Sequence, residues 1–314
     1  LNNTNNLKTR VINDLNFRSL DLISENGIKS NYGIYMKNLN TTAKNDSMYK
    51  SSPQVELMNI LEFNSSLPMI SESKNSVNYL TPKISLRYNP GDMKNYTNND
   101  RKVSVNNIFD INRLGIDDSF EEGKSLTIGL DFKKSNILDI NKYFEAKLAT
   151  VYRENDENFI PISSGIDKKN SNFFGSVSSN LSEFLNIGYD FIIDNDLNTL
   201  KYNSLNTTLN FKNLSSEFTF IEESGQFGDA NTLSNKTKLK FSDENYLTFN
   251  TRRNRKINLT EYYDLIYEYK NDCLVAGIKY NKTYYEDRDL KPSENLLFTI
   301  TLTPLTSFEQ KVDK

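Results

Sequence analysis

Histidine and tryptophan are absent from this 314-residue chain, and cysteine occurs once. Without histidine the chain cannot form a Ser-His-Asp triad, a Cys-His pair or a histidine-ligated zinc site. The single Cys273 cannot form an internal disulfide or a zinc-thiolate cluster, and no glycine-rich phosphate-binding motif is present. We therefore expect no enzymatic activity, no metal and no cofactor.

Long hydrophobic runs are also lacking, since no segment approaches the ~18 apolar residues of a transmembrane helix. Mean hydropathy is -0.62, yet tyrosine and phenylalanine bring the aromatic fraction to 12%, which is not the composition of a disordered chain. The net charge of -3 supplies no basic field, so we expect no nucleic-acid partner. The chain starts at Leu1 without an initiator methionine or an export signal, and we expect an amino-terminal portion to precede it.

What the chain does contain is an alternation of apolar and polar residues with period two, which predicts β-strands with one apolar face. Two segments show it well, 125–132 and 294–303. In the first segment Leu126, Ile128, Leu130 and Phe132 share the apolar face, and Thr127, Gly129 and Asp131 lie on the opposite face. In the second segment the apolar face holds Leu296, Phe298, Ile300 and Leu302, and the opposite face holds Thr299 and Thr301. Turn-rich clusters separate such runs, and we count about fifteen strands of roughly 8 to 13 residues.

The length of these strands favours an antiparallel transmembrane β-barrel, because a tilted bilayer-spanning strand needs about 9 to 11 residues. Tyrosines near predicted strand ends, such as Tyr32, Tyr35 and Tyr284, suit aromatic girdles at the membrane interfaces. Residues 40–53 and 89–107 are long and polar, like the outside loops of such barrels. Alternation alone also fits a soluble β-rich module whose apolar face is its core.

Charged clusters along the chain do not predict catalysis. The neighbouring acids 117–118 and 121–122 resemble glycosidase carboxylates only superficially, and we expect them on solvated loops. The basic run 252–256 predicts a strand-end cluster at the level of lipid headgroups, or a contact with lipid phosphates.

Several segments resemble the LptD (OstA) family of lipopolysaccharide-assembly proteins, especially its alphaproteobacterial members. The similarity runs in order from about Asn26 to Leu305, and its motifs lie in 80–90, 107–115, 118–123, a strand centred on Gly129, and 267–302. The residues that carry it are Pro82, Arg87, Pro90, Arg113, Gly115, Glu122, Gly123, Asp272, Gly277, Asp287 and Pro292.

The resemblance implies a barrel of roughly twenty-six strands. Residues 1–305 are then its carboxy-terminal part and residues 306–314 a polar tail, with the first strands and a periplasmic jelly-roll domain preceding the chain. The implied function is lipopolysaccharide transport into the outer leaflet of the Gram-negative outer membrane. The implied partners are lipopolysaccharide, outer-membrane lipid, an LptE-type plug lipoprotein inside the barrel and periplasmic Lpt bridge proteins.

Two family features depend on particular residues. The family releases lipid through a seam between its first and last strands, which assigns the seam to the final predicted strand with Leu296, Phe298, Thr299, Ile300, Thr301 and Leu302. Its members also carry paired cysteines bridged to the periplasmic domain, whereas Cys273 stands alone, so a disulfide and a free thiol both remain open. A passive porin-like channel is the alternative function.

Overall fold

The computed structural model describes residues 7–284, 291–302 and 306–312, and within them the regular secondary structure is almost entirely antiparallel β-strand. The strands are β1 (Leu7–Arg18), β2 (Leu22–Ile23), β3 (Lys29–Lys44), β4 (Gln54–Ser66), β5 (Met69–Glu72), β6 (Ser76–Asn89), β7 (Gly123–Asn136), β8 (Tyr143–Arg153), β9 (Phe173–Ser182), β10 (Leu185–Ile193), β11 (Leu200–Phe211), β12 (Leu214–Glu223), β13 (Asn231–Lys240), β14 (Asn245–Asn254), β15 (Leu259–Lys270), β16 (Leu274–Thr283), β17 (Ser293–Leu302) and β18 (Thr306–Val312). Two short 3-10 helices, Ile162–Ser164 and Gly225–Phe227, interrupt the connections. In the described part of the chain, no helix is long and apolar enough to cross a membrane.

The chain divides into two compact units. The first contains the described residues up to Ile140 with Glu145–Ser176 and Ile192–Lys201. Here β3 pairs with β1 and β4, and β6 pairs with β4 and β7, all antiparallel. The short strands β2 and β5 pair with β3 and β6.

The second unit comprises Asn141–Phe144, Val177–Phe191 and the described residues from Tyr202 onward. From β11 to β18 each strand pairs antiparallel with the next. The segment expected as a polar tail forms β18, so the assignment of 306–312 to a tail is wrong. β18 runs antiparallel along β17, whose backbone groups then have partners on both edges.

Exposure follows the predicted alternation with the apolar face outward. In β7 the side chains of Ile128 and Leu130 are 41% and 42% exposed, whereas Thr127 between them is fully buried. In β17 the residues Leu296, Phe298, Ile300 and Leu302 are likewise exposed. The predicted division of faces is confirmed, and it is inverted relative to a soluble sandwich, which buries its apolar face.

The connection 90–122 departs from the prediction of a solvated loop. It starts at Pro90, reaches β7 at Gly123 and has a buried core: Val103, Ile108 and Asp118 are each at most 1% exposed. Asp118 and Glu121 are therefore buried, contrary to the prediction, because this connection folds against the polar face of the sheet, whereas Asp117 is exposed as expected. The other predicted loop, 40–53, is shorter than expected, since β3 continues to Lys44.

The polar face of the first unit also carries an apolar cluster. Tyr35, Leu39 and Ala43 of β3 pack with Met58 and Ile60 of β4, and Tyr49 and Phe120 cover them from connecting segments. Tyr35 is consequently buried on this face rather than part of an exposed girdle, because the close packing of its ring over Gly33 turns it inward.

Candidate functional site

The buried face of the first unit is organised in rows that run across its strands. Directly opposite residues connect Arg18 to Gly33, Glu62, Arg87 and Ser125 through the pairings of β1, β3, β4, β6 and β7. Side chains opposite one another in an antiparallel pair share a face, so sheet register alone places Glu62 beside Arg87.

Arg113, in the connection 90–122, is the centre of the cluster. Its guanidinium donates to Glu121 Oε2 at 2.7 Å from Nε, and to Glu121 Oε1 from Nη2. It also donates to Thr127 Oγ1 at 2.9 Å and to Ser125 Oγ at 3.2 Å, both on β7. The fork geometry of arginine allows all these bonds at once, so one buried side chain attaches the connection to the sheet.

Arg153, at the end of β8, provides a second cation for the same carboxylate. Its Nη1 donates to Glu121 Oε1 and its Nη2 to the backbone carbonyl of Glu122. Glu157 lies 3.9 Å from Arg153 Nη2. Glu121 is thus paired with two arginines, Arg113, which precedes it by 8 residues, and Arg153, which follows it by 32.

Arg87 and Glu62 form the neighbouring ion pair, with 3.2 Å between Arg87 Nε and Glu62 Oε1. Asn64 Nδ2 donates to the other oxygen of Glu62 at 2.8 Å. Both terminal nitrogens of Arg87 are buried without a protein partner among the described residues. The Arg87 pair is therefore less completely satisfied than that of Arg113.

The protonation of Glu121 follows from this environment. Burial by itself raises the pKa of the carboxyl, but the charges of Arg113 and Arg153, with the hydrogen bond from Arg113, lower it more. The net effect is a pKa well below the ordinary value, so the group is an anion at every physiological pH. Such a carboxylate does not act as a general acid or base near neutral pH.

Phe109 joins the same connection to the sheet by close packing. A Cβ on Gly129 would lie 2.7 Å from Phe109 Cζ, closer than real Cβ atoms approach. Lys83 Nζ lies 4.3 Å from the centroid of the Phe109 ring and 2.8 Å from Asp131 Oδ2. The ring therefore occupies the space that any side chain at Gly129 would fill.

The connection 154–172 is hydrogen bonded to the connection 90–122. Tyr96 N donates to Phe159 O at 2.9 Å, and Arg101 N donates to Ser163 Oγ at 3.0 Å. The Tyr96 hydroxyl donates to Asp118, and burial raises the pKa of Tyr96. The two connections form one layer over the polar face.

The structure brings four of the family-motif residues together. Arg87, Arg113, Glu122 and Gly123 all lie in or beside the ionic cluster: Glu122 accepts from Met93 N at 3.0 Å, and Gly123 has a φ of 78° with Glu157 Oε1 2.8 Å from an added Cβ. Three further motif residues lie nearby in the same unit. Pro82 marks the break where β4 stops pairing with β6, Pro90 follows β6, and the Gly115 amide closes a turn to Asn112 O.

The described carboxy-terminal motif residues belong to the second unit. Asp272 lies in the exposed turn before β16, Gly277 faces Thr299 across the β16–β17 pair, and Pro292 directly precedes β17. Asp287 lies outside the described residues. Cys273 is exposed and next to the first residue of β16, which confirms the prediction of a strand-end position.

The strand assigned to the seam is β17, and it pairs with β16 as predicted. It also pairs with β18, Leu302 lying opposite Thr306 and Leu296 opposite Val312. The prediction that 294–303 is the closing strand is therefore wrong, because a further strand covers its second edge.

Sequence reasoning missed Glu62, Glu121 and Arg153 as members of the cluster. Glu62 has a detectable signal, since it occupies a polar-face position of β4 between Leu61 and Phe63, both of which are exposed. Glu121 and Arg153 carry no such signal, because their pairing depends on where two long connections fold.

Long antiparallel strands with apolar side chains outward and a polar, ionic face inward define an antiparallel outer-membrane β-barrel. Within that class, the family model LptD, described as LPS transport system D, matches residues 15–221. The chain belongs to the LptD family.

Comparisons with solved structures give distant similarities. A mutant of the ferric enterobactin receptor PfeA from Pseudomonas aeruginosa is 10% identical with a TM-score of 0.43, covering 95% of this chain and 55% of that chain. The chain thus spans about half the length of that receptor. A triple mutant of the Rhodopseudomonas blastica porin is 10% identical with a TM-score of 0.36, covering 91% of this chain and 93% of that chain. No protein of curated function matches the chain.

Proposed function

We propose that the chain forms part of the wall of an outer-membrane β-barrel that delivers lipopolysaccharide to the outer leaflet of the Gram-negative outer membrane. The observation that carries this proposal is the family match over 15–221, which includes the ionic cluster. The outward apolar face supports it, because lipid is the environment in which such a face is stable.

The proposed function is transport without covalent chemistry. A polar saccharide needs a polar interior, which the inner face of a barrel supplies. Acyl chains need a path into the lipid, which an openable pair of strands supplies. In this proposal β18 supplies the carboxy-terminal edge of the seam, and β17 pairs with the other edge of β18. The partners are an LptE-type plug lipoprotein and periplasmic Lpt bridge proteins.

The buried cluster supports a transport barrel by keeping the connections 90–122 and 154–172 folded on the inner face. A passive channel needs an open passage, whereas here the polar face of the first unit is covered by buried side chains of its own connections. We propose that this layer leaves lateral release as the route for the lipid portion.

Cysteine pairs across the seam of the full-length protein test this function. Crosslinks between β18 and its partner strand should block the appearance of lipopolysaccharide at the cell surface when oxidised and restore it when reduced. A matched pair between β12 and β13, for example at Ser215 and Lys238, should form without affecting export. Unchanged export with the seam crosslink formed would favour a porin-like channel instead.

A further inference from the structure

The basic run 252–256 lies in the second unit, at the end of β14 and in the turn that leads to β15. The same end of the strands carries the connection 224–230, and Lys256 Nζ pairs there with Asp229. At the opposite end the connections are shorter, namely 212–213, 241–244 and 271–273. Outer-membrane barrels have short turns on the periplasmic side and longer loops outside. The basic run therefore belongs to the outer side of the membrane.

Sheet register places Arg253 on the outward, apolar face. Arg253 lies opposite Leu233, which lies opposite Phe220, and Leu233 is exposed. Arg253 also shares a face of β14 with the exposed Phe249, four residues earlier, which is about 14 Å along an extended strand. The apolar band of such barrels is about 25 Å tall, so a residue this far from the middle of β14 reaches its border. Arg253 thus lies where acyl chains meet headgroups.

The contacts that hold Arg253 and Arg255 are neutral. Arg253 Nη2 donates to the Oδ1 atom of Asn258, and the guanidinium carbon of Arg255 lies 5.1 Å from the centroid of the Phe220 ring. Neither contact supplies a negative charge. Both arginines are exposed, and the planar fork of a guanidinium offers paired N–H donors that match two oxygens of a phosphate.

The other two cations of the run have acidic partners. Arg252 Nε lies 2.9 Å from Glu261 Oε2, and Lys256 pairs with Asp229. Arg252 is next to Arg253 in sequence, but alternation along the strand directs it to the opposite face. It therefore provides a matched control for the removal of a positive charge from this turn.

We propose that Arg253 and Arg255 bind the phosphate of a lipid headgroup in the outer leaflet. A phosphate at this level supplies the negative charge that the contacts of both arginines lack. Phe220 and Leu233 lie beside the two arginines on the same face and provide an apolar surface for the acyl chains, which a free phosphate ion would not use. The site lies on the lipid-facing side of the barrel wall, so this inference is independent of the proposed transport.

Photocrosslinking of the full-length protein in detergent tests the site. The probe is phosphatidic acid with a photoreactive group close to its glycerol, because this lipid has a phosphate monoester and acyl chains but no saccharide. Crosslinks should map by mass spectrometry to 231–240 and 245–258. Arg253→Gln combined with Arg255→Gln should lower the yield there by about tenfold or more, because two charge-assisted contacts are lost. Arg252→Gln should crosslink as the unmodified protein does.

Two further measurements make the result specific. The three proteins should unfold at similar temperatures in detergent without the probe, because the altered side chains are exposed. Inorganic phosphate at the concentration of the probe should not lower the yield, since it lacks the acyl chains. Equal yields from the Arg252→Gln protein and the double variant, or displacement by inorganic phosphate, would overturn the proposal.

Replacing both arginines by lysine separates charge from shape. Arg253→Lys combined with Arg255→Lys should retain more crosslinking than the glutamine variant, because it keeps both positive charges but loses the planar fork. A yield as low as that of the glutamine variant would contradict a role for charge. Lipopolysaccharide export is measured separately in cells, so a failure of the proposed transport would leave the crosslinking result unaffected.

Discussion

Arg113 and Glu121 form a two-point ion pair in the interior of the first unit, with both side chains almost completely inaccessible to solvent. The pair lies within one connection, yet Arg113 also bonds to β7 and Glu121 to β8. Removing either partner therefore leaves a charge in a place that water does not reach.

Arg113→Met should lower the free energy of unfolding by about 3–5 kcal/mol, because it leaves a buried carboxylate with less compensation. Arg252→Met is the control: Arg252 pairs with Glu261 at 2.9 Å but is half exposed, and its loss should cost at most about 1 kcal/mol. Denaturant unfolding in detergent measures both. Equal effects of Arg113→Met and Arg252→Met would contradict the prediction.

The stability contribution of Glu121 should depend on pH in a defined direction. Its folded-state pKa lies below the ordinary value of 4.5, so its contribution is complete above about pH 4.5 and is lost as the pH falls below that. Glu121→Gln should therefore be destabilised most at neutral pH. As the pH is lowered from 7 to 3, the unfolding temperature of the Glu121→Gln protein should approach that of the unmodified protein. A difference between the two that stays constant over this range would refute the assignment.

Gly129→Ala should displace Phe109 and loosen the connection 90–122, since the new methyl group overlaps the ring. We expect a loss of about 1–3 kcal/mol and faster proteolysis within 90–122. Gly188→Ala is the matched control, because nothing lies within 4 Å of a Cβ at that position. Adding Phe109→Leu should relieve part of the effect of Gly129→Ala, which would not happen if the strand itself were disturbed.

The outward face of the second unit should be sensitive to charge in a lipid bilayer. Phe249 is exposed on one face of β14, and Asn250 occupies the other face opposite Asp264. Phe249→Arg should cost about 2–4 kcal/mol near the bilayer centre, whereas Asn250→Arg should cost much less. Unfolding in liposomes provides the measurement, and a larger cost for Asn250→Arg would argue that the faces are reversed relative to lipid.

Cys273 should be accessible from the side of the short turns, because the turn 271–273 leaves it exposed. If the thiol bridges a periplasmic domain in the full-length protein, non-reducing electrophoresis should show a mobility shift that Cys273→Ser abolishes. Labelling of the unmodified protein by a membrane-impermeant maleimide without prior reduction would show a free thiol instead.

The alternation of side chains determined much of this protein in advance. Which residues of β7 and β17 share a face follows from the two-residue period of an extended backbone, a local property that neighbouring residues alone specify. The position of Cys273 at a strand end was predictable for the same reason, since turn-forming residues precede it. The resemblance of short motifs was enough to indicate the family that the match over 15–221 confirms.

Only the tertiary structure decided which polar residues meet. Glu62 and Arg87 are 25 residues apart and Glu121 and Arg153 are 32 apart, so their pairing depends on strand register and on where long connections fold. The sequence could not show that Arg113, Asp118 and Glu121 in 90–122 are buried, because these charged residues resemble those of a solvated loop until their partners are known. Nor could it show that 306–312 completes a pair with β17, since a polar strand is stabilised by backbone bonds to a neighbour rather than by its own side chains.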